Sequence, residues 1–228
     1  MTTNERSFYF VAMSPQAYKA SKGEETRALI LDAAGQQASE TGFESLTIGS
    51  LAERTGLSKS GLFAHFGSRT ELQIAVLDEA ARRYTEAVFL PALKAPRGLR
   101  RLRTLFANWM AWPSKLPGAC PILNAAAEFD DKPGPMRDAV VERQRNLARE
   151  LGRAVKMAIE TGELRADTDP RQFVFEMFGF ALASHHTKCL LGDDTALERA
   201  SLAFERLVQE HLVAPERASA TRVAAARR

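Results

Sequence analysis

Residues 46–66, LTIGSLAERTGLSKSGLFAHF, constrain the fold of this chain more than any other stretch. Ile48, Leu51 and Ala52 fall on one face at helical spacing, with Thr47 placed as the N-cap. Gly56 stops this first helix, since a glycine readily takes the left-handed conformation that closes a helix, and Leu57 can fold back onto the apolar face. Ser58 then caps a second helix whose Leu62 and Phe66, four residues apart, point inward together. Lys59, Ser60 and Gly61 are left facing outward.

Two short helices joined by a tight turn form the arrangement that places a helix in the DNA major groove. Lys59 and Ser60 sit in the first turn of the second helix, where base edges are reached, while His65 and Arg69 are further along and suited to phosphates. The plainer alternative is a helical hairpin inside a bundle, with Lys59 and Arg69 merely solvated. Glycine is common in such connections, so the turn alone does not decide between them.

A longer run of positions does. Thr26, Ile30, Ala33, Ala34, Gly42-Phe43, Thr47-Ile48, Leu51-Ala52, Gly56-Leu57-Ser58, Leu62-Phe63, His65-Phe66, Arg69 and Leu72 together resemble the N-terminal domain of the TetR family of transcriptional regulators. The resemblance implies an all-α fold of about nine helices, with an N-terminal three-helix helix-turn-helix domain and a C-terminal helical domain for ligand binding and dimerisation. It implies DNA contacts at Thr47 and Ser58, base-edge contacts from Lys59, Ser60 and Gly61, and backbone contacts from Phe63, His65 and Arg69. Two positions depart from the family's habit. Phe63 stands where tyrosine is frequent and lacks the hydroxyl that would reach a phosphate. Gly49 has no side chain where some members contact a base, so direct readout leans on Lys59 and Ser60, with DNA shape filling in.

Composition sets bounds without choosing a function. The chain has 228 residues, 45% of them hydrophobic and 26% charged, which is ordinary for globular proteins with a real core. No apolar run approaches the roughly twenty residues of a membrane span, and the short stretch 7–13 follows Glu5 and Arg6, a poor signal peptide. Cys120 and Cys189 make neither a disulfide framework nor a clustered metal site, so a cytoplasmic location is expected. The net charge of +3 is already supplied by Arg217, Arg222, Arg227 and Arg228 against Glu216. Between Ser21 and Thr70 five basic residues face six acidic ones, so DNA binding must come from the placement of charge and not from its total.

Residues 1–21 carry no helical periodicity and read as a flexible arm, within which Met13 is a candidate translation start. A helix-turn-helix domain with its connecting helix is expected over 22–89, with Pro91 closing the connecting helix. An effector-binding and dimerisation domain follows over 90–214, and a basic disordered tail over 215–228. Later helices are expected at about 97–112, 120–129, 134–161, 170–191 and 194–213, bounded by Pro and Gly, with Asp169 capping and Pro170 opening the fourth of these.

Candidate effector contacts are Phe106, Trp109, Met110, Trp112, Leu123, Phe129, Met177 and His185, an aromatic and apolar set of the kind that lines cavities between helices, although such stripes are more often core. His185 and His186 are adjacent and point to different faces, so they do not form an i, i+4 metal pair. Cys120, at a helix start, is the one thiol with reactive potential, against the plainer reading of a small buried hydrophobe. Glu128, Asp130 and Asp131 read as a charged helix end. No catalytic group, metal or cofactor is expected. The resulting expectation is a repressor, released from a palindromic operator on double-stranded DNA by a small, largely apolar effector, acting as a homodimer away from membranes. Two further readings stay open: a ligand-sequestering protein whose DNA binding has lapsed, and a small helical enzyme using Glu128, Asp130 and a histidine.

Overall fold

The computed structural model describes residues 21–116 and 118–213; apart from Ser21, the expected arm with Met13 and the expected basic tail lie outside them. Nine helices are described: α1 Lys22–Thr41, α2 Ile48–Thr55, α3 Lys59–Phe66, α4 Arg69–Tyr84, α5 Leu99–Ala111, α6 Pro121–Phe129, α7 Pro135–Glu160, α8 Pro170–His185 and α9 Ala196–His211. The fold is all-α. The one β feature among the described residues is an isolated bridge between Leu164 and Leu212. No described helix is long and apolar enough to cross a membrane.

Local chemistry explains most of the boundaries. Ser21 and Glu24 form a reciprocal cap that opens α1, Thr47 opens α2, and the Ser68 side chain accepts from the Glu71 amide to open α4. Asp169 Oδ1 accepts from the Arg171 amide at 2.8 Å, with Pro170 in the first turn of α8.

Pro91 does not end the connecting helix. α4 continues through a π turn, Thr85–Phe89, into one more α turn, Leu90–Leu93, which contains Pro91. A proline inside a regular helix lacks a donor and its ring presses on the carbonyl four residues back; widening the preceding turn relieves both demands.

The described residues pack as two compact units that do not follow chain order: 21–91 join Ala111–Leu147, while Ala92–Met110 joins 148–213. In the first unit Ile30, Phe43, Leu46, Leu51, Leu62 and Leu72 are fully buried, and the same core takes in Ala125 and Phe129 of α6 and Met136, Ala139 and Val140 of α7. The helix-turn-helix core is therefore completed by residues from much later in the chain. On α4, Glu79 accepts from Arg82 and Arg83, and Arg83 also pairs with Asp32 of α1 at 3.0 Å. Hydrogen bonds from these arginines hold the Glu79 carboxyl at about 2, down from 4.5.

In the second unit Phe106 of α5 stacks on Phe204 of α9 with ring centroids 4.0 Å apart, and Phe173 of α8 meets Phe204 edge-on. The Glu163 carboxylate accepts from the Leu99 amide at 2.8 Å and so caps α5 from outside.

Two outcomes are expected. Phe129→Ala should destabilise the protein by roughly 3–5 kcal/mol in urea denaturation, because it empties part of the helix-turn-helix core. Glu79→Gln should cost about 1 kcal/mol at pH 7, the exposure of its partners holding the effect well below the full shift. A depressed folded-state pKa contributes stability above the unfolded value that is lost as pH falls through the folded one, so wild type and variant should converge between about pH 4.5 and pH 2.

Candidate nucleic-acid interface and effector region

The helix-turn-helix is assembled from reciprocal caps and one tight turn. Thr47 Oγ1 accepts from the Ser50 amide at 3.0 Å while Ser50 Oγ accepts from the Thr47 amide at 3.2 Å, which fixes the start of α2. Gly56 closes it at φ 70°, a left-handed conformation that a side chain disfavours. Ser58 Oγ accepts from the Gly61 amide at 3.1 Å and lies 3.2 Å from Ser60 Oγ. Leu62 and Phe66 are buried beneath, so α3 presents Lys59 and Ser60 outward, with Phe63 half exposed and His65 half buried. A Cβ at Gly49 would meet nothing nearer than Thr47 Oγ1 at 3.8 Å, which leaves this face of α2 open and flat.

Arg69 does a different task as well. It is exposed, yet its guanidinium donates to the carbonyls of Leu46, at 2.9 Å, and Glu44, tying the first turn of α4 to the segment before α2. Arg54 of α2 is bound to both carboxylate oxygens of Glu40, at 3.0 and 3.2 Å, whereas Lys59 at the start of α3 has no ion pair among the described residues.

Glu128 lies at the end of α6, as the charged-helix-end reading has it, and has a further task there. Its carboxylate accepts from the amides of Phe43 at 3.0 Å and Glu44 at 2.9 Å, the opening of the short 3-10 turn Phe43–Ser45 that leads into α2. Gly42 stands at φ 84°, and a Cβ there would collide with Glu128 Oε1. Lys132 pairs with Glu44 at 3.0 Å, and the Ala119 amide donates to the Ser39 carbonyl at 3.0 Å. Both ends of α6 thus hold the α1–α2 connection. One signal for this role was present in the sequence: a carboxylate in the last turn of a helix faces the negative end of the dipole and needs a donor from elsewhere.

The candidate effector residues divide between the units. Phe106, Trp109, Met110, Met177 and His185 lie in the second, where Trp109 meets Phe178 edge-on at 5.2 Å and Phe106 and Met177 are buried. His185 is half buried, its Nδ1 3.5 Å from Cys189 Sγ, and burial together with His186 lowers its pKa; His186 itself is exposed. Trp112, Leu123 and Phe129 lie in the first unit, where Phe129 belongs to the helix-turn-helix core and Leu123 is half buried. Trp112 is buried and packs edge-on against Tyr84, with ring centroids 5.9 Å apart. Tyr84 was not singled out from the sequence, because a lone tyrosine late in an amphipathic helix carries no pattern. Cys120 is buried at the N-cap position of α6.

Residues 30–76 match the family model described as bacterial regulatory proteins, tetR family, and residues 98–204 match that of the tetracyclin repressor-like C-terminal domain. The chain belongs to the TetR family. No curated protein sequence matches it. Among solved structures it is similar to a TetR transcriptional regulator from Chloroflexus aurantiacus, at 24% identity and TM-score 0.77 over 84% of this chain and 98% of that one. FadR from Bacillus subtilis, solved with stearoyl-CoA, aligns at 15% identity and TM-score 0.65 over 79% of this chain and 97% of that one. AibR, solved with isovaleryl coenzyme A and operator DNA, aligns at 17% identity and TM-score 0.63 over 82% and 97%. At these identities the likeness carries the TetR fold, and the site residues of this chain rest on its own geometry.

Glu128→Ala should remove two hydrogen bonds to a charged acceptor and cost roughly 1–3 kcal/mol in denaturant unfolding. Glu128→Gln, which keeps one acceptor oxygen, should recover part of that loss.

Proposed function

We propose that this TetR-family chain is a homodimeric, DNA-binding transcriptional regulator, acting as a repressor that leaves a palindromic operator when a small, largely apolar effector binds. The observation that carries the reading is the capped, outward-facing first turn of α3, where Lys59 and Ser60 stand exposed above a fully buried Leu62. An unpaired cation beside a hydroxyl at a helix N-terminus is suited to base edges and phosphates in a major groove. Phe63 offers an apolar face of the kind that meets a thymine methyl.

Dimerisation is supported by apolar side chains on the last two helices. Phe175 and Leu182 of α8 and Leu197 and Leu202 of α9 are 72%, 54%, 47% and 54% exposed, more than a monomer's surface needs to show on two adjacent helices. Pairing α8 and α9 with their symmetry mates would bury this surface in a four-helix bundle, and a palindromic operator calls for two α3 helices about 34–36 Å apart, one turn of DNA. Effector responsiveness is supported by the two related structures solved with acyl-coenzyme A molecules. On this reading 22–89 is the DNA-reading segment, 90–214 the effector and dimer segment, and the protein works in the cytoplasm without catalysing a reaction.

Footprinting on DNA flanking the protein's own gene should show a protected palindrome that is lost as salt rises. Lys59→Ala should weaken binding to it by roughly 1–3 kcal/mol, and an unchanged gel-shift midpoint would remove Lys59 from the contact surface.

A further inference from the structure

Two buried polar groups in the first unit have nothing to bond. Tyr84 is 5% exposed and Trp112 6% exposed, and neither the Tyr84 hydroxyl nor Trp112 Nε1 has a hydrogen-bond partner among the described residues. Native proteins pair nearly all such groups, because each one left unmet costs the full desolvation of a donor. The two rings meet edge-on at 90° with centroids 5.9 Å apart, and Phe89 packs on Tyr84 from another side at 5.9 Å. Cys120 and Ile122, both buried, come from the start of α6 in the same unit. Tyr84 is also the last residue of α4 before its π turn, an irregularity that recurs at functional positions in helices.

We infer that Tyr84 and Trp112 form the polar end of a small-molecule site that takes an apolar compound bearing a neutral hydrogen-bond acceptor, such as a ketone, ester or amide. The inference rests on the effector-responsive reading above and gives that effector a chemical class and an anchoring point. The choice of acceptor follows from the donors. An indole N–H only donates, so whatever meets Trp112 must present a lone pair. A tyrosine hydroxyl can likewise donate to a lone pair, and a carbonyl oxygen accepts two hydrogen bonds. The exclusion of an anionic head follows from the surroundings. Burial holds the Tyr84 phenol well above its ordinary pKa, and the neighbouring Cys120 adds to that effect. A carboxylate or phosphate brought against these buried rings would lose its hydration, a cost that a neutral acceptor largely avoids. Such sites, largely apolar with a few convergent polar groups, are the usual form of a small-molecule pocket.

The test uses the full-length protein labelled with nitrogen-15. The chain has two tryptophans, so two indole N–H signals are expected, and Trp109→Phe assigns them. Acetophenone, octan-2-one and N-methylbenzamide are titrated in turn, with ethylbenzene as the hydrocarbon counterpart of acetophenone. The expected result is a saturable downfield shift of the Trp112 indole proton with at least one carbonyl compound and a much smaller one with ethylbenzene. Tyr84→Phe should weaken that binding by about tenfold. A Trp112 signal unmoved by all three carbonyl compounds, an equal response to ethylbenzene, or unchanged affinity in Tyr84→Phe would each overturn the inference. The contrast between carbonyl and hydrocarbon in the wild type decides the matter even where Tyr84→Phe fails to fold. Footprinting on the same preparations without added compound keeps the two readings apart: loss of DNA protection with an intact Trp112 response strikes the regulator reading alone.

Discussion

The carboxylate of Glu128, held by the amides of Phe43 and Glu44, is the contact on which the architecture of the first unit turns. A charged acceptor on two backbone donors is among the stronger hydrogen-bonding arrangements available to a protein, and it joins positions 85 residues apart. It works only because Gly42 leaves room for the carboxylate, and it is flanked by the Lys132–Glu44 pair and by Phe129 in the core. The three N-terminal helices do not close a core by themselves. Their apolar faces are completed by α6 and the first half of α7, so these elements share one core.

Helix α6 is therefore a natural lever. Its nine residues span roughly 13 Å at 1.5 Å per residue. Cys120 stands at one end, among the unpartnered Tyr84 hydroxyl and Trp112 indole, and Glu128 stands at the other on the turn that leads into α2. On the proposed reading, a compound at the first end and DNA bound by the helices beyond the second would each bias the position of the same short helix, and by linkage the effect of either on the other must be equal.

What could be read from the sequence was whatever is decided within a few residues. Thr47, Ser58 and Asp169 as caps, Gly56 as a turn and the prolines at the starts of α6, α7 and α8 all act locally, and the structure has them in those roles. The TetR resemblance, carried by spaced positions over about fifty residues, gave the all-α fold. Long-range facts were hidden. Phe129 looked like a pocket wall because nothing nearby announces that its ring belongs to a core built from α1 to α4. Arg69 looked like a phosphate contact, and only the folded chain brings the carbonyls of Glu44 and Leu46 to its guanidinium. Pro91 looked like a stop because the π turn that accommodates it leaves no mark in sequence. Tyr84 went unnoticed since its significance is the absence of a partner, which no sequence displays.

The eight residues of α3 also set a limit that can be put in terms of information. With Lys59 and Ser60 as its outward polar side chains and glycines at 49 and 61, a helix of this kind placed in a major groove would distinguish only a few base pairs by direct contact. A genome offers on the order of 10⁶–10⁹ competing sites, far more than two such short words can single out. On the proposed dimeric reading, the remaining discrimination resides in the distance between the words. For a protein built this way, changing the spacing of its two recognition helices is equivalent to changing the sequence it looks for, and a ligand acting on the scaffold needs to alter nothing at the reading surface itself.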